Sequence, residues 1–337
     1  MNTLANPVSK LPDVGTTIFT VMSALASEQG ALNLSQGFPD FDGPEALLQA
    51  VNAHLRSGQN QYPPMAGVAA LREAIAAKVL DLYGLACDAD TEITVTAGAT
   101  EALFCAIAAV VHAGDEVIVL DPAYDSYDPV IRLQGAVPVH VPLSAPTYRI
   151  DWDRIEAAIT ANTRLLILNS PHNPTGMVMD ENDIAALSAL CAKYDIYLIG
   201  DEVYEHMVFD RARHLSLCGY AELYARSFVI SSFGKTYHVT GWKVGYCVAP
   251  LALTTEFRRV HQYVTFTVNT PVQLGIADFL QQHPQHHQQL PAFYQAKRDL
   301  FCELLQDSRF TVVPSQGTYF QLLGYDAISA ESDASLA

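Results

Sequence analysis

Positive charge is scarce in this 337-residue chain: 19 lysines and arginines stand against 36 aspartates and glutamates, a formal net charge of -17 at pH 7. Such a field repels polyanions, so neither nucleic acid nor an anionic membrane surface is an expected partner. Any anionic small ligand must instead be held by a few local cations. Paired cysteines are lacking as well. Cys87, Cys105, Cys191, Cys218, Cys247 and Cys302 are scattered without a Cys-x-x-Cys spacing. That argues against a disulfide framework or a zinc site and for thiols in a reducing compartment, the cytoplasm. No apolar run approaches the ~20 residues of a membrane span. The longest, Ala102 to Val111, is bounded by Glu101 and His112. The N-terminus shows no basic segment followed by an apolar run, so no signal peptide is expected.

What the chain does have is apolar residues, half of the total, enough for a large core and more than one domain. From about residue 68 to 250, short β-branched runs alternate with helical periodicity. Expected strands are Ile93 to Ala97, Glu116 to Leu120, Leu165 to Leu168, Ile196 to Ile199, Phe228 to Ile230 and Val244 to Val248. Expected helices are Val68 to Leu82, Thr100 to His112 and Glu181 to Lys193. Strands that are apolar throughout, separated by helices, predict an α/β fold with a mostly parallel sheet buried on both faces. Residues 1–45 carry four prolines and little periodicity and suit an arm; 46–285 read as a large domain and 286–337 as the start of a small one. The polar stretch Gln281 to Gln289, with three histidines, reads as a solvated helix end or loop, not as a metal site.

In such sheets ligands sit at the carboxyl ends of the strands. Five polar segments follow strand ends directly: Thr96–Thr100, Asp121–Tyr124, Asn169–Gly176, Asp201–Tyr204 and Ser231–Lys235. Lys235, in a Ser-x-Gly-Lys loop after an apolar run, is a candidate amine nucleophile, and Lys243 a candidate phosphate contact with Ser232. The pair suggests pyridoxal 5′-phosphate (PLP), bound as a Schiff base to Lys235. Asp201 suits a protonated pyridine nitrogen, although it equally suits a helix N-cap. Tyr204 is placed for the ring's phenolic oxygen and Tyr124 for the ring face. Gly98-Ala-Thr100 joins strand to helix, a natural phosphate seat at Ala99 and Thr100. Asn169 to Gly176 holds two X-Pro bonds, which can fix unusual backbone geometry around Asn173. Tyr62 precedes the sheet; if it reaches a phosphate at all, it does so across a subunit boundary.

Asn173-Pro-Thr-Gly176, Asp201-Glu-Val-Tyr204, Ser232-Phe-Gly-Lys235 and Gly241-Trp-Lys-Val-Gly-Tyr246 together resemble the class I/II aminotransferases of PLP fold type I. Gln36-Gly-Phe-Pro-Asp40 and the Tyr62 segment are similar to the branch holding the kynurenine aminotransferases, glutamine transaminase K and bacterial methionine aminotransferases. The resemblance implies a seven-stranded-type sheet between helices, a small α/β domain, and a homodimer with shared active sites. It implies transfer of an amino group, from methionine or an aromatic amino acid, to a 2-oxo acid. Lys235 would be the base as well as the nucleophile. Asp201 would hold the pyridinium, and Asn173 and Tyr204 the ring oxygen. Ala99, Thr100, Ser232, Lys243 and the second subunit's Tyr62 would hold the phosphate, and Gly37 with Asn173 the substrate carboxylate. Relatives continue for several tens of residues past Gly317-Thr-Tyr-Phe320 and carry there an arginine that clamps the carboxylate. The expectation for the 337 residues alone is therefore PLP binding with poor transamination. A PLP carbon–sulfur β-lyase and a weakly active PLP-binding protein are the alternatives.

Overall fold

In the computed structural model, which describes residues 7–35, 37 and 39–336, seven strands form one sheet. They are β1 (Ile93–Thr96), β2 (Glu116–Asp121), β3 (Val137–Pro142), β4 (Thr163–Asn169), β5 (Tyr197–Asp201), β6 (Ser227–Ser232) and β7 (Gly245–Val248). Their order is β1-β7-β6-β5-β4-β2-β3. β7 runs antiparallel to both neighbours, β1 and β6, while β6, β5, β4, β2 and β3 pair in parallel. Gln36 and Phe38 of the segment Gln36 to Asp40 lie outside the described residues.

Alternation along the central strands explains why they read as unbroken apolar runs. Ile118, Leu120, Leu166, Leu168 and Leu198 face one core; Val117, Val119, Leu165, Ile167 and Ile199 face the other. Successive side chains point to opposite faces, so a sheet covered twice needs apolar residues at every position. Helices Ala69–Tyr83, Glu181–Lys193 and Thr270–Gln282 cover the first face through Ile75, Leu187 and Ile276. Helices Gly98–Val110, Tyr127–Leu133 and Leu251–Val264 cover the second through Leu103, Ile131 and Phe257. The middle helix of the first set is held at its start by a capping box in which Asp180 and Asp183 satisfy each other's backbone N–H groups.

β3 escapes a reading based on apolar runs. It is Val-Pro-Val-His-Val-Pro at the sheet edge, largely exposed or half-buried, and only an edge strand tolerates two prolines. The region expected to be an irregular arm contains a helix, Ile18–Gln29, N-capped by Thr17 and without a buried residue. The histidine-rich stretch is not wholly solvated: His286 and His287 are half-buried, the latter with its ring centroid 4.5 Å from that of His206. A two-stranded ribbon, β8 (Thr311–Val312) with β9 (Leu323–Gly324), follows the helix Leu290–Leu305.

Candidate active site

Six strands present their carboxyl ends at one edge of the sheet, and the reversed β7 brings its amino end, with Lys243 just before it, to that same edge. One cavity of about 160 Å³ opens there. Gly98, Ala99, Thr100, Tyr124, Asn173, Asp201, Tyr204, Ser232, Lys235 and Lys243 all line it. The strand-end segments that sequence singles out thus meet at one point, as a parallel sheet dictates.

Asp201 is the last residue of β5 and is buried. It accepts a hydrogen bond from the Tyr127 hydroxyl at 2.6 Å and one from the Val203 N–H at 3.4 Å. Burial pushes its carboxyl up to about 6, against the pull of Tyr127 and Lys235. Among the described residues no cation is paired with this carboxylate, and a buried carboxylate so placed favours a ligand that supplies one.

Ser232 ends β6 and caps the single turn Phe233–Thr236, accepting from the Gly234 N–H at 3.2 Å. That turn aims Lys235 into the cavity. Its Nζ donates to the Tyr319 hydroxyl at 2.9 Å, and that hydroxyl donates onward to the Gly37 carbonyl at 2.9 Å. The amine also stands 5.5 Å from the ring centroids of both Tyr204 and Tyr319. Burial holds the Tyr204 phenol well above its ordinary range, so it stays a proton donor.

Lys243 has a left-handed backbone, φ 53, and folds over the start of helix Gly98–Val110. A Cβ at Gly98, whose φ is +77, would meet Lys243 Cε at 3.2 Å and Nζ at 3.3 Å. A Cβ at Gly245 would lie 2.8 Å from the Ala99 nitrogen. These two glycines let the ammonium and the helix N-terminus share one small space. Burial, and then the charge of Lys235, lower the Lys243 ammonium, so an anion there is favoured on both counts.

In the Asn169–Gly176 segment both X-Pro bonds, Ser170–Pro171 and Asn173–Pro174, are cis. Asn169 Oδ1 accepts from the Asn173 N–H at 2.7 Å, and its Nδ2 donates to the Asp201 carbonyl at 2.8 Å. Asn169 therefore locks the Asn173 loop to the Asp201 strand. Sequence reasoning did not single out Asn169, Tyr127 or Tyr319, nor the buried network behind β6. There Lys78 Nζ bonds Glu205 Oε1 and the Tyr246 hydroxyl, both at 2.6 Å, and the Ser231 hydroxyl also donates to Glu205. Burial alone would raise the Glu205 carboxyl, but Lys78 beside it holds it well below the usual range.

Two of the expected site residues do not line the cavity. Gly37 reaches it through the Tyr319 hydroxyl. Tyr62 is 83 % exposed and meets Phe266 edge-on at 5.6 Å.

The donor set fits PLP. A buried carboxylate lacking a cation suits a pyridinium nitrogen. A helix N-terminus, Ser232 and Lys243 suit a phosphate, and Lys235 suits an aldehyde. The model of the family described as Aminotransferase class I and II matches residues 29–336. The chain is 54 % identical over 327 residues to the methionine aminotransferase of Escherichia coli strain K12, covering 97 % of this chain and 85 % of that one. It is 43 % identical over 326 residues to a probable N-succinyldiaminopimelate aminotransferase of Mycobacterium tuberculosis, covering 95 % and 82 %. A solved Escherichia coli structure with a methionine aminotransferase function superposes with a TM-score of 0.95 at 52 % identity, over 98 % of this chain and 87 % of that one.

Proposed function

Because the chain belongs to the class I and II aminotransferases, and so is a PLP-dependent transaminase, we propose that its amino donor is methionine or an aromatic amino acid, its acceptor a 2-oxo acid, and its reacting amine Lys235. One observation carries the site reading: a lysine amine and a buried carboxylate face the same cavity beside a second lysine seated on a helix N-terminus. The 54 % identity to a methionine aminotransferase supports the donor class. The free thiols support a cytoplasmic setting. Among the described residues no helix is long and apolar enough to cross a membrane.

When bound, PLP supplies an aldehyde that takes up the amino group and a ring that receives the electron pair released at Cα. The residues divide the remaining work. Ala99, Thr100, Ser232 and Lys243 hold the phosphate, joined by Tyr62 of a second copy in a homodimer with shared sites. Asp201 keeps the ring nitrogen protonated. Tyr204, held protonated by burial, donates to the ring oxygen together with Asn173, and Tyr124 covers a ring face. Lys235 Nζ would take the proton from substrate Cα and pass it to the carbon that had been the cofactor's aldehyde. Gly37 and Asn173 seat the substrate carboxylate.

The test has two parts. Borohydride treatment of the PLP-loaded protein, followed by peptide mass mapping, should leave a pyridoxyl group on Lys235. Half-reactions with a panel of amino acids should show methionine and the aromatic amino acids converting the bound cofactor fastest. A label elsewhere sinks the site reading. Pyruvate and ammonia from cystathionine without an oxo acid would favour β-lyase chemistry instead.

Tyr319 gives a smaller effect. Its hydroxyl accepts from Lys235 Nζ while donating to Gly37, which fixes the direction in which the free amine points. Losing one such bond is worth about 1.5 kcal/mol, or roughly tenfold. Tyr319→Phe should lower kcat about tenfold while PLP affinity stays within about twofold. Equal losses in both would mean that the hydroxyl only supports the fold.

A further inference from the structure

His261 lies in the last turn of helix Leu251–Val264 and is fully buried. Its Nε2 is 3.1 Å from the Met65 carbonyl oxygen and its Nδ1 2.8 Å from Glu101 Oε1. A carbonyl only accepts, so Nε2 carries a hydrogen. Glu101 is surrounded by donors: the Ala97 N–H on Oε2 at 3.0 Å and the Cys105 thiol on Oε1 at 2.8 Å. Two other donors thus already occupy both carboxyl oxygens, one on each, which leaves Nδ1 as the donor to Oε1 and gives it a hydrogen too. We infer that His261 is a buried imidazolium that ties the phosphate-seat turn of the cavity to the loop presenting Tyr62.

As assigned under Proposed function, on which the inference rests, the two ends of this tie serve two phosphate sites: the seat turn its own chain's, and the Tyr62 loop that of the second copy. Glu101 grips Ala97, the residue before Gly98-Ala-Thr100. Met65 belongs to the segment that carries Tyr62. That segment is pinned further by Thr267 Oγ1 to the Pro64 carbonyl at 3.1 Å and by Thr270 Oγ1 to the Gln61 carbonyl at 2.6 Å. The last turn of a helix favours a cation through its dipole. The other ionisable groups nearby do not oppose the charge. Burial, and then Glu101, raise the Cys105 and Cys247 thiols and keep them neutral. Arg258, one turn earlier on the same helix, is spent on Thr94 Oγ1 and the carbonyls of Asp90 and Ile93.

Glu101, Cys105 and His261 are also a possible ligand trio for a metal. Their separations argue otherwise. Donor atoms on one tetrahedral zinc, with bonds of about 2.0–2.3 Å, stand roughly 3.3 Å or more apart. Contacts of 2.8 Å from the carboxylate to the nitrogen and to the sulfur are hydrogen bonds.

The direct test is long-range ¹H–¹⁵N NMR of the histidine-labelled 337-residue protein with and without PLP. His261 should show two protonated ring nitrogens at pH 7. A neutral ring at pH 7 overturns the inference, as does stoichiometric zinc retained by the trio. The functional arm compares PLP with pyridoxal, which lacks the phosphate, by equilibrium binding. His261→Gln and Glu101→Gln should each weaken PLP about tenfold and pyridoxal within about twofold. The double variant should be no worse than either single change, because both cut the same tie. Equal weakening of both ligands, or unchanged PLP affinity in a folded His261→Gln protein, overturns the positioning role. If wild-type protein bound no PLP at Lys235, the site assignment would fail while the NMR result still decided the charge of His261.

Discussion

Lys235→Ala should abolish transamination, cutting kcat by at least about 10⁴-fold, because the proposed function gives one atom two tasks. Its own turn, capped by Ser232, aims its Nζ into the cavity beside Asp201. As a nucleophile it divides a difficult exchange into easier ones. As a base it would move the substrate Cα proton, an effect of about 10²–10⁴ by itself. Neither Lys243 nor Tyr204 can take over. Lys243 is turned onto the helix N-terminus next to Gly98, and burial keeps the Tyr204 phenol protonated. Affinity for PLP should suffer far less than rate, since the phosphate contacts are untouched. Added methylamine, small enough for the space the truncation leaves, should restore part of the activity. The measurement is single-turnover kinetics with methionine, paired with a PLP titration. A variant within tenfold of wild-type rate would remove Lys235 from the mechanism. Loss of PLP binding altogether would show that the lysine anchors more than it reacts.

How much of this was legible beforehand depends on the range of the interactions. Asp201 and Lys235 could be found because each is an ionisable residue directly after an apolar strand, and a parallel sheet gathers strand ends without further information. Tyr319 could not. It is a neutral aromatic residue 84 positions from Lys235, in a segment with no periodicity, and only the folded chain brings its hydroxyl to Nζ. Tyr127, 74 positions before Asp201, is a similar case, since nothing distinguishes its phenol from those of other packed tyrosines. The pairing of Lys78 with Glu205 across 127 positions is hidden for the opposite reason: each sits on an element that reads as ordinary. The edge strand β3 was missed through its prolines, which a run-based reading takes as turn residues.

Asp201→Asn should be the second large effect, and it should act in opposite directions on rate and on stability. The variant keeps the shape of the side chain and the room for Tyr127, but it cannot hold a proton on the ring nitrogen, so kcat should fall by about 10³-fold or more. In the PLP-free protein the same change should stabilise. A carboxyl whose folded pKa, about 6, stands above its unfolded value near 3.8 costs stability when ionised. That cost is absent below the unfolded value, grows as pH rises between the two, and is constant above the folded value. Its ceiling is roughly 3 kcal/mol. Lost hydrogen bonding from Tyr127 and Val203 should bring the net gain to about 1–2 kcal/mol at pH 7.5 and turn it into a loss of about 1 kcal/mol at pH 4, where little ionisation cost remains to be relieved. Urea denaturation of both proteins at one fixed concentration, at the two pH values, reads the difference. Binding of PLP should then reverse the ranking, because the pyridinium relieves in wild type the penalty that the variant never carried. If Asp201→Asn left the PLP-free protein no more stable at pH 7.5 than wild type, the carboxylate would already have a counter-charge in the folded chain. Asp201 would then be a structural ion-pair member and not a group kept at a cost for the ligand.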